Sequence, residues 1–215
     1  MSCYDKYMQA QAIAGKCAEQ GGFPAERVRV LAVTKNQTAD VIGELYGCGI
    51  REFAENRLNV LEEKAKILPD DIVWHFIGKI QSNKVRKILK LAKVLHSVDS
   101  PELLERIERI AGEEGVFPEI FIEVNVSGEE SKSGISAWQL PEMLSHTLSN
   151  VHVAGLMTMA PANCGDDDLR NIFSMLKKLA DDSGLSGLSM GMSNDYRIAA
   201  ECGATVVRIG TALFV

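Results

Sequence analysis

Lys35 closes an apolar run, Val28 to Thr34, that reads as a buried strand, and a segment with helical spacing, Ala39 to Tyr46, follows it. An amine at the carboxyl end of an inward strand is partly desolvated, which favours the neutral form that condenses with an aldehyde. A single lysine so placed is more often a solvated strand cap. Two distant stretches change the weighing. Leu188-Ser189-Met190-Gly191-Met192-Ser193-Asn194-Asp195 and Val207-Arg208-Ile209-Gly210-Thr211 each pass from an apolar run into a small, glycine-containing turn. Free amides at such turns, together with a serine hydroxyl, cradle an anion without needing a second lysine. Taken singly, Ser193 reads as a helix cap and Gly210 as a loop glycine. Taken with Lys35, they form the donor set for a phosphorylated aldehyde such as pyridoxal phosphate.

These residues come together only if the elements that carry them share one end of a sheet. Apolar or β-branched runs recur at Val28–Val33, Ile50–Phe53, Ile72–Ile77, Val94–Val98, Ile120–Val126, Val151–Leu156, Leu188–Gly191 and Thr205–Ile209. Segments with helical spacing separate them. One is marked by Asp99, Ser100 and Pro101 ahead of Leu103, Leu104, Ile107 and Ile110, a start signal followed by an apolar stripe. Eight strands alternating with helices predict a parallel α/β fold, a single (β/α)8 TIM-like barrel with an extra N-terminal helix at Tyr4–Gln20. A doubly wound open sheet is the competing topology. In a barrel the site lies at the carboxyl ends of the strands, and a phosphate sits by the loops after the seventh and eighth. No linker, short repeat or low-complexity tract interrupts residues 1–215, so one domain is expected.

Composition excludes several classes. With 215 residues, 46% of them hydrophobic, the chain has material for one sizeable core. A net charge of −6 disfavours nucleic acid as partner, since phosphate neutralisation needs a basic surface. No apolar run reaches membrane-spanning length, and the first residues lack a signal-like core. Five scattered cysteines, without the close pairing that holds zinc or a redox disulfide, fit a reducing cytoplasm. The basic residues Lys79, Lys84, Arg86, Lys87, Lys90 and Lys93 read as a solvated helix face before they read as a docking surface. Asp166, Asp167 and Asp168 suit the positive end of a helix better than a metal, and no metal is expected.

Several blocks carry a resemblance. Leu31-Ala32-Val33-Thr34-Lys35, Phe53-Ala54-Glu55-Asn56, the run from Trp74 to Lys84, Glu123-Val124-Asn125-Val126 with Ser131-Lys132-Ser133-Gly134, Gly155-Leu156-Met157, and the two glycine turns occur in an order similar to the YggS/PROSC family of pyridoxal phosphate homeostasis proteins. That family in turn resembles the barrel domain of alanine racemase.

The resemblance implies that Lys35 holds pyridoxal 5′-phosphate as a Schiff base and that Asn56 approaches it. It implies that His75 and Phe76 line the pocket floor, and that Ser193 with the amides of Gly210 and Thr211 holds the phosphate. Arg208 would face the pyridine nitrogen, where a cation disfavours nitrogen protonation and so weakens the electron sink. Bland alternatives remain for His75, a core histidine, and for Arg208, a barrel-end ion pair. Ala54 stands where the family usually has glycine, Arg57 where it has tyrosine and Lys79 where it has histidine or proline; the chain stops at Val215 where relatives continue. The implied function is intracellular homeostasis of the cofactor without established turnover: a monomer passing it to apo-enzymes, not an enzyme. The alternative is a small racemase dependent on the same cofactor. That activity needs a second acid/base, in the racemases a tyrosine, and Tyr4, Tyr7, Tyr46 and Tyr196 all fall in segments with helical spacing.

Overall fold

In the computed structural model, which describes residues 1–129 and 133–215, eight parallel strands close into a barrel in the order β1 to β8. The strands are β1 (Arg29–Val33), β2 (Glu52–Glu55), β3 (Val73–Phe76), β4 (Ala92–Val98), β5 (Glu119–Glu123), β6 (His152–Met157), β7 (Gly187–Ser189) and β8 (Val206–Ile209). Each lies within or beside one of the apolar runs. Closure is made by β8 against β1, with Val30 opposite Val207 and Ala32 opposite Ile209. The barrel reading therefore holds and the open sheet is excluded. Ser131 and Lys132 of the fourth family block lie outside the described residues.

The shell is built from α1 (Cys3–Gln20), α2 (Ala39–Gly47), α3 (Leu58–Ala65), α4 (Val85–Leu89), α5 (Pro101–Glu114), α6 (Leu140–Ser145), α7 (Asp166–Asp182), α8 (Tyr196–Glu201) and α9 (Thr211–Phe214). Local chemistry sets the boundaries. Ser100 caps α5 by accepting from the Leu103 amide at 3.2 Å, Pro101 occupies the first turn, and Gly115 ends the helix with φ +65°. Asp166, Asp167 and Asp168 fill the first turn of α7, where the helix dipole favours them. The α1 helix precedes the barrel, and its Tyr7 hydroxyl and Gln11 amide hydrogen-bond the backbone of β1 and the residue before it.

Two cores result from the alternation of side chains along the strands. Outward residues such as Phe53, Trp74, Phe76, Leu95, Ile122, Leu188 and Ile209 pack beneath the helices. Inward residues Leu31, Val33, Ala54, Val94, Phe121, Met157 and Val206 form a second cluster inside the barrel. Among them sit buried polar groups: His75, His96, Glu123, Ser189 and Arg208. Among the described residues, no helix is long and apolar enough to cross a membrane.

Candidate functional site

The carboxyl ends of the strands surround a cavity of about 570 Å3. Lys35, Asn56, Ser193, Arg208, Gly210 and Thr211 all line it, alongside Val33, Ile77, Met157, Met192 and Asp195. Six of the seven site residues expected from sequence are thus brought together. The seventh, His75, is fully buried one layer lower, where its Nδ1 lies 2.9 Å from His96 Nε2. Phe76 is a correction. Neighbours along a strand point to opposite faces, so with His75 inside the barrel Phe76 must face the helices, and it packs there.

Lys35 sits just beyond β1, and its position is fixed by its neighbour. Thr34 donates its amide to the Ala54 carbonyl at 2.9 Å and its hydroxyl to Glu55 Oε1 at 2.6 Å. Lys64 of α3 donates to that same carboxylate oxygen at 2.6 Å and to the Thr34 carbonyl at 2.8 Å. This buried ion pair clamps the ends of β1 and β2 together on the outer side. The Lys35 side chain itself is exposed, not desolvated as expected, because it has left the strand and stands on the open rim of the cavity.

The turns after β7 and β8 meet. Ser193 is not a helix cap: α8 begins at Tyr196 after Asp195, and the Ser193 hydroxyl instead accepts from the Ala212 amide at 3.3 Å. Gly191 has φ +91°, and a Cβ there would lie 2.5 Å from that of Ala199, so only glycine lets this turn close onto α8. Thr211 opens α9, leaving its amide without an intrahelical partner.

Arg208, buried on β8, donates Nη1 to Ser189 Oγ at 2.6 Å and Nη2 to the Thr158 carbonyl at 3.0 Å. Burial pulls its pKa down to about 10, against the opposing pull of Asp195 and Glu123, and it stays a cation at neutral pH. Burial raises the Asp195 carboxyl, with the Met192 amide and Arg208 working the other way. On β5 the Glu123 carboxyl is pushed up to about 7, by burial first and by the charge of Asp99 second, with Arg208 and Lys79 opposing. Asp195, the Thr158 carbonyl, Ser189, His96 and Glu123 were not singled out in the sequence. For Glu123 a signal existed, since Glu119, Phe121 and Glu123 share one face of the strand.

The family profile described as "Alanine racemase, N-terminal domain" matches residues 20–215. A protein of Aquifex aeolicus named "Pyridoxal phosphate homeostasis protein" is 39% identical over 208 residues, covering 93% of this chain and 91% of its own. One of the same name from Synechocystis is 40% identical over 197 residues, with 87% and 90% covered. The chain belongs to the pyridoxal phosphate homeostasis protein family. Among solved structures, PipY of Synechococcus elongatus with pyridoxal phosphate bound is 35% identical, with TM-score 0.79 over 93% of this chain and all of that one. An alanine racemase of Clostridium difficile, 14% identical with TM-score 0.69, shares the fold, this chain covering 52% of it.

Proposed function

We propose that this family member binds pyridoxal 5′-phosphate in the barrel-mouth cavity, held covalently by Lys35, and serves as a carrier that supplies apo-enzymes. The observation that carries the reading is one cavity lined by a strand-end lysine, a buried arginine and the two joined turns at Ser193 and Gly210–Thr211. The donor set fits the cofactor: a primary amine for its aldehyde, a hydroxyl and backbone amides for its phosphate, and a cation below for its ring nitrogen. When bound, the cofactor supplies an aldehyde that condenses with amines. The chain's part is to present the Lys35 amine, bind the anion at Ser193 and Thr211, and keep a fixed positive charge at Arg208. Asn56 borders the same cavity from the end of β2.

A carrier is favoured over a racemase by what borders the cavity. Among the described residues Tyr4 and Tyr7 lie on α1, Tyr46 on α2 and Tyr196 on α8, and none lines it. Racemisation needs acid/base groups on opposite faces of the substrate and a water-excluding pocket. Lys35 stands on an exposed rim. Three of the six residues of the basic stretch are ion-paired, Arg86 to Glu113 and Glu114, Lys87 to Glu62 and Lys90 to Glu114. The thiol pattern suits a cytoplasmic setting.

Borohydride treatment of the yellow protein followed by peptide mapping tests the reading. The label should fall on Lys35, and Lys35→Ala should lose the visible band; a label on another lysine refutes the assignment. Exchange of the α-proton of L-alanine in deuterated water separates the two functions. Turnover near 1 per second or faster, within the ordinary enzyme range, would favour the racemase.

A further inference from the structure

A line of buried polar groups runs down the barrel from the cavity. Arg208 Nη1 lies 2.6 Å from Ser189 Oγ, Ser189 Oγ lies 2.7 Å from His96 Nδ1, and His96 Nε2 lies 2.9 Å from His75 Nδ1. His75 Nε2 then lies 3.3 Å from Oε2 of Glu52, the first residue of β2, which pairs with Arg29, the first residue of β1. The path therefore starts beneath the cofactor cavity and ends at the opposite, amino-terminal rim. Ser189, His96 and His75 are all buried from bulk solvent.

The hydrogens along this path are ordered from the Arg208 end. A guanidinium only donates, so Ser189 Oγ accepts from Arg208. Its own hydrogen has one acceptor within reach among the described residues, His96 Nδ1. His96 must then carry its hydrogen on Nε2 and donate to His75 Nδ1, which leaves the His75 hydrogen on Nε2, toward the Glu52 carboxylate. A carboxylate only accepts, so the contact at the far end agrees with this order without forcing it. His75 Nε2 makes no hydrogen bond among the described residues, and the Glu52 carboxylate 3.3 Å away is the charge it faces. The reverse order fails twice. It strands the Ser189 hydrogen in the core without an acceptor, and it turns a nitrogen lone pair toward a carboxylate.

We propose that Ser189, His96 and His75 form a one-way hydrogen-bond relay that runs from Arg208 and ends at His75 beside the Glu52 carboxylate, holds both imidazoles neutral with the hydrogen on Nε2 and fixes the guanidinium in place. The three are positioning residues; that Arg208 meets a cofactor rests on the function proposed above, whereas the relay does not. Further charges face the path: Arg29 and Glu119 near His75, and Asp195 and Glu123 near Arg208. His96 stacks on Phe121 with ring centroids 4.7 Å apart and an interplanar angle of 19°, which holds its ring in the plane the relay needs. Burial lowers the pKa of both histidines, consistent with neutral rings.

The test is imidazole and guanidinium 15N NMR at pH 7 on protein freed of ligand, so that it stands independently of what the cavity binds. Both rings should show a protonated Nε2 and a bare Nδ1, and the Arg208 guanidinium should rotate slowly. Ser189→Ala should abolish the fixed His96 tautomer and speed that rotation at least several-fold, with Ser189→Thr restoring both. Should Ser189→Ala fail to fold, Glu52→Ala at the partly exposed rim keeps the proposal decidable: the order set from Arg208 should still hold both rings with the hydrogen on Nε2. A hydrogen on Nδ1 of either ring, an imidazolium, or an Arg208 signal unmoved by Ser189→Ala overturns the relay. If the relay stands while Lys35 takes no cofactor, only the function proposed above falls.

Discussion

Replacing Glu123 by glutamine should stabilise the protein at alkaline pH and do much less in acid. The side chain is 3% exposed at the end of β5. Its pKa rises from the ordinary 4.5 to about 7, through burial and then the charge of Asp99. The folded state therefore holds a proton that the unfolded chain has released between those two pH values, and stability falls as pH rises through that window. At about 1.36 kcal/mol per pH unit, the full window corresponds to roughly 3 kcal/mol. Between pH 5 and pH 8.5 roughly 2.5 kcal/mol of it is expressed, because most unfolded chains are already ionised at pH 5. Glutamine has the same shape and never ionises, so this loss should vanish from the variant. Urea unfolding followed by tryptophan fluorescence at pH 5, 7 and 8.5 gives the difference directly. A difference that does not change with pH, or one that grows more unfavourable to glutamine at pH 8.5, would show that the carboxyl is not strained by its surroundings.

Three further substitutions probe other parts of the site. Ser193→Ala should weaken binding of pyridoxal 5′-phosphate by about 1 to 3 kcal/mol, one charge-assisted hydrogen bond being lost while the turn amides remain; titration of the ligand-free protein would reveal an unchanged affinity if the phosphate sits elsewhere. Lys64→Met should destabilise by about 3 to 5 kcal/mol, because Glu55 is left charged and buried without its partner. Changing Glu55 to Gln in the same protein should restore part of that stability, measured by the same unfolding assay. Gly191→Ala should destabilise by about 2 to 4 kcal/mol, from the left-handed backbone together with the contact on Ala199; a thermal midpoint within a degree of the parent would contradict this.

Much of the fold was legible because the signals were local. Each apolar run is short and bounded by turn residues, and each but the last is followed by a helical stripe; these features do not depend on what the strand meets. The Lys35, Ser193 and Gly210–Thr211 positions follow at once, since a closed parallel barrel has only one end at which strand-to-helix turns gather. Where the reading went wrong, it ignored the strand's own period. His75 and Phe76 cannot line one pocket, because adjacent strand residues face opposite ways. The exposure of Lys35 follows from where β1 stops: two residues earlier the same side chain would have been inside the barrel.

The polar interior was harder to read, and the reason is combinatorial. An isolated histidine in a strand is most often a satisfied core residue, and nothing about His75 or His96 alone says which groups satisfy it. Their pairing depends on the stagger between β3 and β4, where the register shifts between Trp74 and His75, and between β4 and β5, where it shifts between Leu95 and Val98. Such irregularities re-aim side chains without leaving a mark in hydrophobic periodicity. Ser189 lies far along the chain on β7, and only barrel closure sets it between His96 and Arg208. A buried arginine cannot be left with idle donors, so once Arg208 is inside, its neighbours must supply oxygen acceptors. Ser189 and Thr158 supply them, and the requirement then passes to His96, His75 and Glu52. The sequence of β8 thus constrains residues on β7, β4, β3 and β2, a dependence that spans the whole barrel.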